Sequence, residues 1–188
     1  MKRLFALGLT LLFISQVLFS VHSDTINLQE PFDLIHWMIF IGLILILPYS
    51  LQFSEGIFQK IGGSITLISI VCTIGMCAFD FIFWTLRNNL EARNELLDHL
   101  MSEPFIWSVF ITVGPACFFI GFAIQALGFL RKNRLGSVST LLGSFIVGLG
   151  HFIFQDIRVI YLLGYFIFVS GILIITFNRF SLPKKVIV

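Results

Sequence analysis

Residues 62–85 read GGSITLISIVCTIGMCAFDFIFWT, a hydrophobic run with one carboxylate, Asp80, inside it. Drawn as a helix, Gly62, Thr66, Ser69, Thr73, Cys77 and Asp80 recur at steps of three and four residues and share one face. The other faces are Ile, Leu, Val and Phe, the surface a helix presents to lipid. A second run, 135–154, carries a matching stripe of Ser137, Thr140, Ser144, Gly148 and His151, with Gln155 and Arg158 just beyond. The two stripes predict a pair of helices at the centre of a membrane bundle. Their small and polar residues would face protein, because close packing through glycine, serine and threonine is what joins helices in lipid. On that reading Gly148→Leu should disturb the bundle more than Leu149→Phe.

The composition agrees. Of 188 residues, 57% are hydrophobic and 12% charged, with 23 phenylalanines and a mean hydropathy of +0.99. A soluble domain carries about 25% charge. The chain therefore reads as one all-α integral membrane domain, 1–188. Six runs reach the roughly 20 apolar residues a spanning helix needs: 4–21, 34–51, 64–84, 105–130, 135–154 and 159–177. Between the third and fourth, 87–103 puts Leu90, Leu97, Leu100 and Met101 on one face and Glu91, Arg93, Glu95 and Asp98 on the others. This segment is expected to form a short amphipathic helix at the membrane surface, ended by Pro104.

Charge gives an orientation. With the N-terminus cytoplasmic, nine basic residues fall inside (Lys2, Arg3, Lys60, Arg131, Lys132, Arg134, Arg179, Lys184, Lys185) and three outside (Arg87, Arg93, Arg158). That is the positive-inside pattern. Trp37, Trp84 and Trp107 fall at expected outer ends, where indoles suit the headgroup layer. Both termini are then cytoplasmic in a multi-pass protein of the cell membrane, with 87–103 outside. The first run has two readings: a retained helix, which its length favours, or a signal peptide cleaved near Val21-His22-Ser23, leaving five helices. A shift of 73 residues lays 31–85 over 104–158, pairing Pro31 with Pro104, Gln52 with Gln125 and Gly63-Ser64 with Gly136-Ser137. The expectation is a duplicated two-helix unit in parallel orientation.

The net charge of +2 is sorted by side rather than gathered in a patch, so it gives no sign of nucleic-acid binding, and no nucleic-acid partner is expected. The expected partners are the bilayer and a membrane protein or a second copy of this chain. Cys72, Cys77 and Cys117 lie inside hydrophobic runs and read as packing residues rather than a disulfide framework. No nucleotide, hydrolase or zinc motif occurs, and no cofactor is expected.

The residues that could carry chemistry gather at one level. Asp80 is four residues before Trp84, about 6 Å inside the boundary at 1.5 Å per residue. An unpaired carboxylate there is costly, so Asp80 should face the interior, with His151 or Arg158 as its partner. His22, His36, His99 and His151 all fall on the outer side. His36 and His151 lie inside helix ends near the level of Asp80, and the three form a candidate metal site or, with the two histidines, a haem site. Tyr161 and Tyr165 are one turn apart and suited to bond into the same polar layer as ligand-site or proton-site residues. Gly114-Pro115 should kink the fourth span. No residue is assigned as catalytic. The reading with the fewest requirements is a non-enzymatic accessory, sensor or small-ligand-binding bundle. The alternatives are a transporter of a small apolar or lipid-like substrate, or a membrane enzyme built on His36, Asp80 and His151.

Overall fold

The computed structural model describes residues 1–21, 33–50, 56–153 and 157–178. Among these every regular element is helical: α1 (Lys2–Val21), α2 (Leu34–Ser50), α3 (Ile57–Thr85), α4 (Leu90–Ser102), α5 (Pro104–Trp107), a π-helical turn (Ser108–Val113), α6 (Gly114–Leu127), α7 (Arg134–Phe152) and α8 (Arg158–Asn178). Four helical stretches are long and apolar enough to cross a membrane: Lys2–Ser20, Ile57–Thr85, Pro104–Leu127 and Arg158–Asn178. The apolar α2 is shorter, at 17 residues, and the small and polar stripe of α7 dilutes its apolar content. His22, Gln52 and Gln155, with the cleavage motif after Val21, lie outside the described residues.

The long helices pack in a closed ring, α1–α2–α3–α6–α7–α8 and back to α1. Successive members run antiparallel, so the ring is three hairpins, and each crosses through a pair of glycines. A Cβ on Gly8 would lie 2.6 Å from the Gly42 carbonyl oxygen, one on Gly62 2.5 Å from that of Gly121, and one on Gly136 3.0 Å from that of Gly171. Real side chains do not fit at such distances, so glycine is what lets these backbones touch. Lipid supplies no hydrophobic force between helices, and this close van der Waals approach takes its place. All three crossings sit toward the end of the bundle that carries Met1 and Asn178.

Several buried hydroxyls are satisfied by nearby carbonyls, whereas those of Ser137 and Thr176 have no hydrogen-bond partner among the described residues. Thr66, Thr73 and Thr140 donate to the carbonyls four residues back, of Gly62, Ser69 and Gly136, at 2.8–2.9 Å. Ser69 donates across the bundle to the Gly114 carbonyl at 2.6 Å, and the Gln125 amide donates to Thr66 Oγ1 at 2.9 Å. Each such bond between helices contributes about 0.6 kcal/mol in a membrane.

The stripe of α3 faces protein as its spacing implies: Gly62, Thr66, Ser69, Thr73 and Cys77 are buried. That of α7 is followed only partway. Ser137 and Thr140 are fully buried, but the packed face then runs through Gly143, Val147 and Gly150 rather than Gly148 and His151. A Cβ on Gly148 would meet nothing within 4 Å. The expectation that Gly148→Leu is disruptive is therefore overturned. Along α7 the contact with α8 drifts by one residue over the last two turns, and simple periodicity does not follow it.

Helix α3 begins seven residues before the expected 64, because Gly56, at φ 98°, opens it early and Gln59 packs into the closed end against Gly128. The fourth span is interrupted as expected, in the form of the π-turn just before Gly114-Pro115. Proline has no N–H to give the preceding turn and its ring crowds the carbonyl four residues back, and a wider turn relieves both. Gly114 leaves room for Cys72 of α3 to press against it. The amphipathic segment is α4, capped by Asn89, whose side chain accepts from the Ala92 N–H at 3.1 Å; it has no buried residue. The 73-residue shift is not the likeness the packing displays. Gly62 and Thr66 on α3 correspond instead to Gly136 and Thr140 on α7, 74 residues on, with Gly121 and Gly171 pressed against them.

Candidate functional site

Away from the three crossings a cavity of about 620 Å³ opens between the helices, while α7 and α8 remain in close contact through Gly143, Gly150 and Gly164. All six ring members line it. Its deeper wall is apolar: Leu12, Ile39, Leu43, Ile111, Phe118 and Phe119. Ser20, His36, His151 and Arg158 lie within a turn of their helix ends and form the mouth. Gln16, Thr73, Tyr161 and Tyr165 lie between mouth and floor. Tyr165 is only 4% exposed and packs against Phe119 at 5.5 Å and Tyr161 at 6.0 Å between ring centroids. Among the described residues neither tyrosine hydroxyl has a hydrogen-bond partner. Both remain available to an occupant.

Behind one wall is an array of charged groups. Asp33 caps α2, one carboxylate oxygen accepting the His36 backbone N–H at 3.2 Å and the other lying 2.6 Å from His36 Nδ1. Nε2 of the same ring lies 3.1 Å from Asp80 Oδ2 on α3. An imidazole with hydrogen on both nitrogens donates to both carboxylates and places one positive charge between two negative ones. Burial alone would push the Asp33 carboxyl up; the His36 hydrogen bond and charge outweigh it and hold the group below its ordinary 3.8. Trp37 stacks on Phe81 at 4.8 Å and meets Phe40 edge-on, covering this seam with aromatic surface. Arg93 of α4 acts electrostatically on Asp80 from outside the ring.

Asp80 and His36 thus come together, but the expected partners of Asp80 are replaced. The ring order explains why: α3 lies between α2 and α6, while α7 and α8 stand across the cavity. Arg158 instead donates from Nη1 to the Ser20 carbonyl at 3.1 Å. His151, Arg158, Tyr161 and Tyr165 share the cavity with His36, whereas Asp80 is behind His36 and does not line it. His99 is exposed on α4. Among the described residues no group of three His, Cys, Asp or Glu is placed to hold a metal ion. Both nitrogens of His36 already face carboxylates, so ligating a metal or haem iron would require breaking one of those contacts. Cys72, Cys77 and Cys117 are free thiols.

Asp33 was not foreseen as a site residue, although Asp33-Leu34-Ile35-His36 is an N-cap followed three residues later by a histidine, a spacing that brings the two side chains together. Thr73 was legible as part of the α3 stripe but not as a cavity residue, and Gln16 had no comparable signal, since a place on the cavity wall depends on which helices adjoin. Comparison with protein-family models, with characterised proteins and with solved structures finds no match for this chain.

Proposed function

We propose that this chain is a six-span protein of the cell membrane, with both termini cytoplasmic, that binds a small amphipathic molecule in the cavity at its outer end. The observation that carries this reading is the cavity itself: about 620 Å³, lined by every long helix, with an apolar floor and a mouth of convergent polar groups. Binding sites for small molecules have this size and this distribution of polarity. Retention of α1 belongs to the proposal, because Phe5, Leu9, Leu12 and Ser15 are buried in the core and α1 supplies Leu12, Gln16 and Ser20 to the cavity. Orientation rests on the nine-to-three distribution of basic residues.

Two experiments test the reading. Purified protein in a neutral detergent should unfold at higher temperature with amphipathic small molecules than with water-soluble ones of similar size. Met76→Trp, which fills the cavity from α3, should abolish the difference. Stabilisation that survives this filling would place binding elsewhere. For topology, a cysteine at Asn94 on α4 should react with a membrane-impermeant maleimide added outside intact cells; labelling only after lysis would reverse the orientation.

A further inference from the structure

The mouth of the cavity also carries information about the occupant's chemistry, on the reading that the cavity is a ligand site. We propose that it takes a single-chain amphiphile with an anionic head, a carboxylate or phosphate monoester, held by Arg158 and Tyr161 while the chain extends between Leu12, Leu43 and Phe118.

The first observation is a charge asymmetry across the mouth. His36, on the α2 side, is countered by Asp33 at 2.6 Å and Asp80 at 3.1 Å. Arg158, on the α8 side, makes one hydrogen bond, to the Ser20 carbonyl, and among the described residues no carboxylate pairs with it. A guanidinium has five N–H donors in a planar fork, and that bond uses one of them. The rest match the paired oxygens of a carboxylate or phosphate. Arg158 is also the first residue of α8, so the positive end of the helix dipole adds to the same field.

The second observation is independent of charge. Tyr161 and Tyr165 stand one and two turns deeper than Arg158 on the same helix and line the same cavity. Neither hydroxyl has a hydrogen-bond partner among the described residues, so both are open to a cavity occupant, and an anionic head at Arg158 supplies an acceptor within one turn of Tyr161. Below them the lining is leucine, isoleucine and phenylalanine, which offers nothing to a second polar end. The cavity is of the size that encloses one small or single-chain molecule, about 300–1,000 Å³. A cationic head would be repelled by Arg158, and a neutral one would make no charge-assisted bond to it.

The test uses the full chain in a neutral detergent at mildly alkaline pH, with four probes: oleate, dodecyl phosphate, oleyl alcohol and oleylamine. Thermal unfolding and tryptophan fluorescence report binding. Oleate and dodecyl phosphate should bind about tenfold or more tightly than oleyl alcohol, the difference one charge-assisted contact makes, and oleylamine should bind weakest. Arg158→Gln should remove the preference for an anionic head; Tyr161→Phe should reduce it in part and serves if Arg158→Gln does not fold. Oleate ahead of dodecyl phosphate assigns a fatty-acid head, and the reverse a phosphate monoester. Equal binding of oleate and oleyl alcohol in the wild type, or a preference that persists in Arg158→Gln, overturns the head assignment while the cavity remains a ligand site. Binding of none of the four overturns both readings.

Discussion

At the end of the bundle carrying Met1 and Asn178, the two helices of each hairpin meet through glycine, Gly8 with Gly42, Gly62 with Gly121 and Gly136 with Gly171, backbone against backbone. Toward the opposite end Phe118, Phe119, Tyr161, Tyr165 and Met76 line a cavity enclosed by the same six helices. Even there α7 and α8 stay in close contact, a Cβ on Gly150 lying 3.0 Å from the Tyr161 backbone and one on Gly164 2.8 Å from the Val147 nitrogen. Side-chain size separates the two regions: glycines let paired helices touch, and larger side chains line the cavity.

The sharpest way to break this comparison is to put the same substitution at both ends. Gly121→Leu would drive a side chain into Thr66, whose backbone nitrogen is 2.7 Å from the Cβ position, and should destabilise the bundle by about 3 kcal/mol, the upper part of the overpacking range. Gly148→Leu faces open space and should stay within about 0.5 kcal/mol of wild type. Unfolding by dodecyl sulfate in mixed micelles measures both, and equal losses would dissolve the distinction between the ends.

A smaller effect is expected at the α2–α3 seam beside the cavity. A double-mutant cycle of Asp80→Asn with His36→Gln should return a coupling of about 1–2 kcal/mol, as for charged side chains in contact. The cycle of Asp80→Asn with Arg158→Gln should return nearly none. Coupling to Arg158 instead would mean that the helices close across the cavity rather than around it.

The smallest effect is one of pH. The Asp33 carboxyl is held below 3.8 in the folded protein by the hydrogen bond and charge of His36, against the effect of burial. Its contribution to stability is therefore fully present above that value and is lost as the pH falls through the folded value. The stability gap between wild type and Asp33→Asn should be open in mildly acidic buffer and close below about 3.8. A gap that widened with acid would contradict the contact with His36.

Much of the helical architecture was legible because a lipid-facing surface demands long apolar runs and interior stripes demand small residues at helical spacing. The stripe of α3 faces protein throughout. The stripe of α7 failed at Gly148 and His151 because the contact face of two packed helices drifts, and the drift depends on the partner's side chains. Asp80 was legible as an interior carboxylate, since its cost in lipid is local to its own helix. Its partner was not, because that depends on the order of helices round the ring, and no residue of α3 encodes that α2 rather than α7 lies beside it. Depth alone put Tyr161, Tyr165, His151 and Arg158 in one layer, and all four line the cavity. That depth marks a cavity wall could only be learned once the far side of the ring was known.

The glycine crossings also have a mechanical consequence. From Gly62 to Asp80 is 18 residues, roughly 27 Å along the axis of α3, so the far end of α3 is a long lever arm on the short fulcrum of Gly62 and Gly121. A tilt of a few degrees at that fulcrum, too small to unseat the backbone contacts, displaces the far tip by a few ångströms. The cavity wall can thus move while the crossing that anchors it stays locked.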